Sequence, residues 1–489
     1  MTGTPHAATA RRELRRQLAA YAILLAGVAA IALLHWPGRL DEDSIANIVQ
    51  LRSGFIGDHR SAVTTWLWQQ ADQVVGAGPG VVLLAQTAAL AAGAYLVLRC
   101  VFGRIAAAAL TVAILFAPPT FGMVALVGRD MWFVGPFLMS AGIAVTLARR
   151  PPRRRAVTAL LLLAGFLLGA LATSARQNGF TAVAAVYAAL AAVGLPLLAG
   201  ERRRWLAGAR RWVAASVLGA AAAVVALGGT IAATAAIRSH HEYPEVYTEI
   251  WDLGYLSLKR GEQLIPSLPR DMQPTQTLAE VRDRWLPTSS LWMRWSDGLR
   301  RGPAAYDADA AAKLREAWKD AILDHPLTYL RGRLLLWKNQ LGIGYTPWKT
   351  AIVRSTPNEW GYERAAFPFL SDAAADYARF WSTDHRPLPH SLVHHAWLYL
   401  LICCAGVALL LPRFPPATRI CGLLAISGLT AQIGLFLLAP SVQWRYQLPT
   451  VYAALLVVCV AAALAWRAHR ARRATASALP ARDAPRRER

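Results

Sequence analysis

About ten stretches of roughly 20 mostly apolar residues recur along the chain, near 17–36, 80–100, 104–120, 131–148, 155–174, 179–199, 212–236, 394–412, 417–438 and 447–466. A run of that length, wound as an α-helix, matches the ~30 Å hydrocarbon core of a bilayer. Within that core a backbone can satisfy its polar groups only inside its own segment or in a closed barrel. The expected fold class is therefore an all-α polytopic membrane protein with about ten transmembrane helices. An even number of crossings puts both termini on one side of the membrane.

The charges say which side. The chain carries a formal net charge of +23 although 55% of its 489 residues are hydrophobic. A nucleic-acid binder spreads such charge over a folded polar face to neutralise phosphates. Here the arginines sit in short clusters between apolar runs, which excludes nucleic acid as the expected partner. Arginine and lysine are retained on the cytoplasmic side. A cytoplasmic N-terminus places Arg99, Arg104, the runs 149–155 and 202–211, Arg413, Arg419 and the basic tail in the cytoplasm. The short opposite loops keep only Arg39, Arg52, Arg60, Arg129, Arg176 and Arg445. The expected location is the inner (plasma) membrane, with both termini cytoplasmic and membrane lipid as a constant partner.

The expected organisation follows: a basic cytoplasmic segment, 1–16; a module of about seven spans, 17–236; an extracytoplasmic domain, 237–392; about three further spans, 393–466; and a disordered basic tail, 467–489, lying against anionic head groups. The run near 18–36 is too long for a signal-peptide core and reads as a retained first span. The outer loop 37–79 carries Ile45, Ile48 and Val49, then Val63, Trp66 and Leu67 at helical spacing, which predicts amphipathic helices. Trp66 and Trp68 suit the membrane interface. In the large domain, 310–324 and 326–341 read as helices and Pro266, Pro269, Pro274 and Pro287 mark an irregular stretch. Its tryptophans, Trp251, Trp285, Trp292, Trp295, Trp337, Trp348, Trp360 and Trp381, fit a small core, interfacial anchoring or sugar stacking. The five cysteines fall in or beside predicted spans and read as packing residues, not disulfides.

Ionisable residues gather at one edge of the expected bundle. Asp41, Glu42, Asp43 and Ser44 follow the first span, and Asp58, His59 and Arg60 lie about one short helix later. Arg129 with Asp130, Arg176 with Asn178, and Gln443 with Arg445 each sit at the outer edge of a span, where charge is costly unless it faces a cavity or a partner. Converging, they would form a site: Asp41 or Asp43 as a general base on a hydroxyl, and Arg60, Arg176 and Arg445 holding a phosphate. The adjacent pairs His240–His241 and His394–His395 point their side chains apart and do not suggest a metal.

At these residues the sequence resembles the GT-C class of integral-membrane glycosyltransferases, most closely an uncharacterised bacterial branch. The resemblance rests on Asp41-Glu42-Asp43-Ser44, on Gly57-Asp58-His59-Arg60 followed by Thr65-Trp66-Leu67-Trp68, and on Gly128-Arg129-Asp130-Met131-Trp132. It continues in Ala175-Arg176-Gln177-Asn178-Gly179, in His325-Pro326-Leu327-Thr328-Tyr329-Leu330, and in Trp444-Arg445-Tyr446-Gln447-Leu448-Pro449. The resemblance implies an inverting hexosyl- or pentosyltransferase with a polyprenyl-phosphate sugar as donor and an envelope glycan, lipid or protein as acceptor. It implies no cofactor beyond that donor, and Asp41 or Asp43 as the catalytic carboxylate. Glu42, Asp58, His59, Arg60, Arg129, Asp130, Arg176, Asn178 and Arg445 become candidate substrate or phosphate ligands. Two other readings of the chain are a transporter or flippase of an envelope precursor and a non-catalytic membrane scaffold. Transport calls for charges in mid-helix and interrupted helices near the midplane, whereas the polar residues here collect at one edge.

Overall fold

The computed structural model describes residues 5–76, 78–199, 209–269, 275–294, 306–344, 354–382, 390–411 and 414–478. Among these the regular structure is helical, with only isolated β-bridges. In chain order the helices are α1 (Pro5–His35), α2 (Glu42–Ser53), α3 (Ala62–Val75), α4 (Pro79–Leu98), α5 (Arg104–Leu115), α6 (Pro118–Val124) and α7 (Arg129–Arg149). Next come α8 (Arg155–Ala175), α9 (Phe180–Ala199), α10 (Ala209–Ile237), α11 (Val246–Arg260), α12 (Leu278–Arg284) and α13 (Leu291–Arg294). The chain ends with α14 (Ala308–Asp324), α15 (Pro326–Gln340), α16 (Pro368–Trp381), α17 (Ala396–Leu410), α18 (Pro416–Leu438) and α19 (Leu448–Ala478).

Eight of these, α1, α4, α7, α8, α9, α10, α18 and α19, are long and apolar enough to cross a bilayer. The protein is thus an all-α, multi-pass membrane protein. Two of the ten expected spans come out differently. The run 104–120 breaks into α5 and α6, bent by 73°. Pro118 cannot donate a backbone hydrogen bond and drives the preceding residue out of helical geometry, and Ala117 is indeed extended, with φ −66° and ψ 140°. The run 394–412 yields α17, whose 15 residues reach only about 22 Å, short of a ~30 Å core. At the other end, α19 runs past the expected limit to Ala478, because Ala and Arg are good helix formers. The rest of the expected tail, residues 479–489, lies outside the described residues. So do most of the basic run 202–211, together with Arg413, Pro274, Trp295 and Trp348.

The bundle packs closely through small residues, as spans do when both surroundings and partners are apolar. A Cβ on Gly93 would meet the Leu138 backbone at 2.6 Å, so α4 and α7 touch main chain to main chain. The helices expected in the loop 37–79 form, as α2 and α3, but Trp68 is buried and belongs to the core, while Trp66 is 40% exposed. The large domain is built on α11. One face of that helix, Val246, Ile250 and Leu253, packs on Ala310, Leu314 and Ala321 of α14. Its other face carries Trp251, which meets Leu336 of α15 and Leu435 of α18. Trp251 lies 5.5 Å from Trp285, ring to ring, at the seam where the domain meets α18.

Candidate functional site

The site starts from a capped helix. Asp41 precedes α2 in extended backbone and its Oδ1 accepts from the Ser44 backbone N–H at 2.9 Å, closing a capping box. A short bridge holds this turn beside a second segment. The Arg39 N–H donates to Ala125 O at 2.8 Å, and Val127 N–H donates back to Arg39 O at 2.9 Å. Ser44 Oγ also donates to Val127 O at 2.6 Å. Arg129 and Asp130, two residues on at the start of α7, are thereby set against the acidic turn.

Arg445 arrives from the far end of the sequence on a 3-10 turn, Trp444–Gln447, that leads into α19. Trp444 fixes the turn: it is fully buried and its indole N–H donates to Pro119 O at 3.0 Å. The guanidinium then bridges the two aspartates. Nη1 donates to Asp41 Oδ2 at 2.7 Å and Nη2 to Asp43 Oδ2 at 2.6 Å. Nε donates to Gln443 Oε1 at 2.5 Å and lies 3.6 Å from Asp130 Oδ2. Asp130 in turn accepts from Arg176, whose guanidinium sits 4.2 Å over the Tyr446 ring. Gln443 is itself held by Gln340 of α15, Gln340 Nε2 donating to Gln443 O at 2.7 Å. The centre is thus tied to the large domain.

Asp41 and Asp43 differ within this cluster. Asp41 is 5% exposed, with one oxygen on the helix cap and the other on Arg445. The Asp43 side chain is 22% exposed. Its other neighbours, Arg60 Nη2 and Arg129 Nη2, stand off at 3.6 Å. Burial pushes the Asp43 carboxyl up, but Arg445, Arg129 and Arg60 outweigh it and hold the group well below the usual carboxylate range. Arg60 Nε and Arg129 Nε are buried without a hydrogen-bond partner among the described residues.

The remaining candidates fall elsewhere. Asp58 belongs to a neighbouring clasp between the loop after α2 and the segment leaving α10. It accepts from Arg238, from the Glu242 backbone at 2.7 Å, and pairs with His241 Nδ1 at 2.5 Å. The His59 N–H donates to Glu242 Oε2 at 2.9 Å, and Gly57 lets that carboxylate come close, since a Cβ there would have to displace it. His59 touches the main cluster through its carbonyl, which accepts from Arg129 Nη1 at 3.1 Å. Glu42 is exposed on the first turn of α2. Asn178 meets the bundle through its backbone, its carbonyl accepting from Thr181. Sequence reading missed Arg238, Glu242 and Tyr446. The signal for the first two was a polar run directly after a span, and for Tyr446 an aromatic beside Arg445.

No group of three His, Cys, Asp or Glu side chains among the described residues gathers as a metal site would. No family model matches the chain, and no curated protein matches it either.

Proposed function

We propose that this protein is a membrane glycosyltransferase that moves a sugar from a polyprenyl-phosphate donor to an extracytoplasmic envelope acceptor. In this reading it is a protein of the bacterial inner membrane, with the α11–α16 end facing outward and the basic clusters inward. The observation that carries it is Asp43, a partly exposed carboxylate ringed by arginines at the edge of the bundle. Among the described residues the four guanidinium groups of Arg60, Arg129, Arg176 and Arg445 pair with three carboxylates, those of Asp41, Asp43 and Asp130, an excess of positive charge.

Geometry divides the labour. Arg445 and Arg176 are committed to protein carboxylates and hold the frame, whereas Arg60 and Arg129 stand off from Asp43 at 3.6 Å and are 17% and 20% exposed. A phosphate needs guanidinium N–H groups of that kind, so Arg60 and Arg129 hold the donor phosphate. Asp43 accepts the proton of the acceptor hydroxyl as its oxygen attacks the anomeric carbon. The bond from that carbon to the phosphate oxygen breaks with inversion, and polyprenyl phosphate leaves with the bonding pair. A phosphate drawing Arg60 and Arg129 to itself also weakens their hold on Asp43, raising its basicity when the donor is bound.

The test is sugar transfer by the protein reconstituted in vesicles, from a panel of radiolabelled polyprenyl-phosphate sugars to envelope acceptors. Asp43→Asn lowers turnover about 10²–10⁴-fold, the usual contribution of a positioned base. An Asp43→Asn protein that transfers as well as wild type rules the mechanism out. So does failure to consume any donor while a control transferase works.

A further inference from the structure

Helix α16 lies in the large domain by sequence, yet it is seated low against the bundle. Its buried face, Ser371, Ala374, Ala375 and Ala378, packs toward α1 and α6. Arg39 Nη2 donates to Ser371 Oγ at 2.6 Å. Tyr377 OH donates to Phe116 O at 3.0 Å, and its ring meets Phe121 edge-on at 4.9 Å.

The depth of Phe116 can be gauged. Helix α5 starts at Arg104, which pairs with Glu13 of α1 at the end of the bundle remote from the large domain. Its 12 residues rise about 18 Å, so its last turn lies roughly 12 Å short of the far edge of a ~30 Å core. Because the chain bends at Ala117, the place where a straight helix would continue is left to other elements. α16 is one of them.

The exposed half of α16 is divided lengthwise. At 100° per residue, Phe369, Ala373, Tyr377 and Phe380 fall within an arc of about 80°, and Asp372, Asp376 and Arg379 within an adjacent arc of about 60°. Phe369 is 82% exposed, Phe380 41% and Tyr377 37%. On the polar flank Arg379 Nη1 pairs with Asp376 Oδ1 at 2.5 Å.

We infer that α16 is a membrane-embedded interfacial helix, its Phe369–Tyr377–Phe380 flank in the acyl chains of the leaflet on the large-domain side and its Asp372–Asp376–Arg379 flank at the aqueous surface. The partner is lipid because the helix sits on α1 and α6 at membrane depth and turns its aromatic flank away from them. A flank of aromatics beside a flank of charge is the pattern of helices that lie in the interface plane. This inference stands apart from the transferase proposal.

The experiment is photolabelling of the wild-type protein in phosphatidylethanolamine–phosphatidylglycerol vesicles that carry a diazirine on the phospholipid acyl chain, followed by residue-level mass spectrometry. Phe369, Tyr377 and Phe380 take adducts at a density comparable with Leu160 and Leu167, which are exposed on span α8. Asp372, Asp376 and Arg379 take few or none. The inference is overturned if α8 is labelled and α16 is not, or if both flanks of α16 label alike. A nitroxide at position 369 gives a second readout: oxygen relaxes it more than a water-soluble nickel chelate does, and the opposite order contradicts the placement.

Discussion

Two centres in this protein are built from the same materials, an arginine brought against aspartates near the end of a span. Arg333 of α15 and Asp252 of α11 are both essentially unexposed and pair at 3.3 Å. The other donors of Arg333 cap the end of α18, Nε to Phe436 O at 2.8 Å and Nη2 to Ala439 O at 3.0 Å. Asp252 also accepts from the Trp318 indole at 2.9 Å. Its carboxyl is pushed up to about 6 by burial, with Arg333 pulling the other way. Around Arg445 the carboxylate Asp43 is partly open, held low, and flanked by Arg60 and Arg129, which stand off at 3.6 Å. A closed centre whose groups satisfy one another is a clamp; an open one with surplus charge is a place for a ligand.

Substitutions should separate the two. The largest effect expected is on turnover: Asp43→Asn costs about 10²–10⁴-fold in transfer while the melting temperature in detergent stays close to wild type. Arg333→Met behaves the other way, since it strands Asp252 in the interior and removes donors from two carbonyls. A loss of ~3–5 kcal/mol of stability is expected, read by denaturation, with part recovered in Arg333→Met/Asp252→Leu. If Arg333→Met instead spares stability and abolishes transfer, the roles assigned to the centres are exchanged.

Smaller is the combined change Arg60→Gln/Arg129→Gln. Charge-assisted hydrogen bonds contribute about 1.5–3 kcal/mol, so donor KM rises about tenfold or more with little change in stability.

The smallest effects are in pH. Asp43 has a depressed pKa, so its ionised form is present above the usual value near 3.9 and is lost only as pH falls below it. The transfer profile should show no acid limb from Asp43 between about pH 5 and 8. Glu249 has the opposite sign, burial raising it to about 7 against the pull of Arg315. Its contribution to stability is full below the unfolded value near 4.3 and is lost as pH rises through about 7. Melting curves of wild type should fall from pH 5 to 8 more than those of Glu249→Gln.

Much of this was legible in the sequence because the bilayer imposes a length and a composition on every crossing. The limits of α7, α8 and α9 fall within a few residues of the apolar runs, and α14 and α15 match their expected helices. The break at Pro118 was written in the sequence but hidden inside a run that hydropathy reads as continuous. Around the site, chain position at the edge of each span was enough to suggest Asp41, Asp43, Asp130, Arg176 and Arg445 as neighbours. What could not be read was the partition of roles. That Asp41 is a helix cap while Asp43 stands partly open depends on which face of α2 meets Val127. The diversion of Asp58 to Arg238 and His241, about 180 residues away, could not be read either: a polar run after α10 marks those residues, but no spacing ties them to Asp58.

The most direct measurement is the affinity of the protein in nanodiscs for a polyprenyl phosphate, the leaving product of the proposed reaction, compared between wild type, Arg60→Gln/Arg129→Gln and a conservative change at the clamp, Arg333→Lys. The account predicts saturable binding that weakens at least tenfold in the Arg60/Arg129 variant and stays near wild type in folded Arg333→Lys. Equal binding by wild type and the Arg60/Arg129 variant, or none by any of the three, would contradict it.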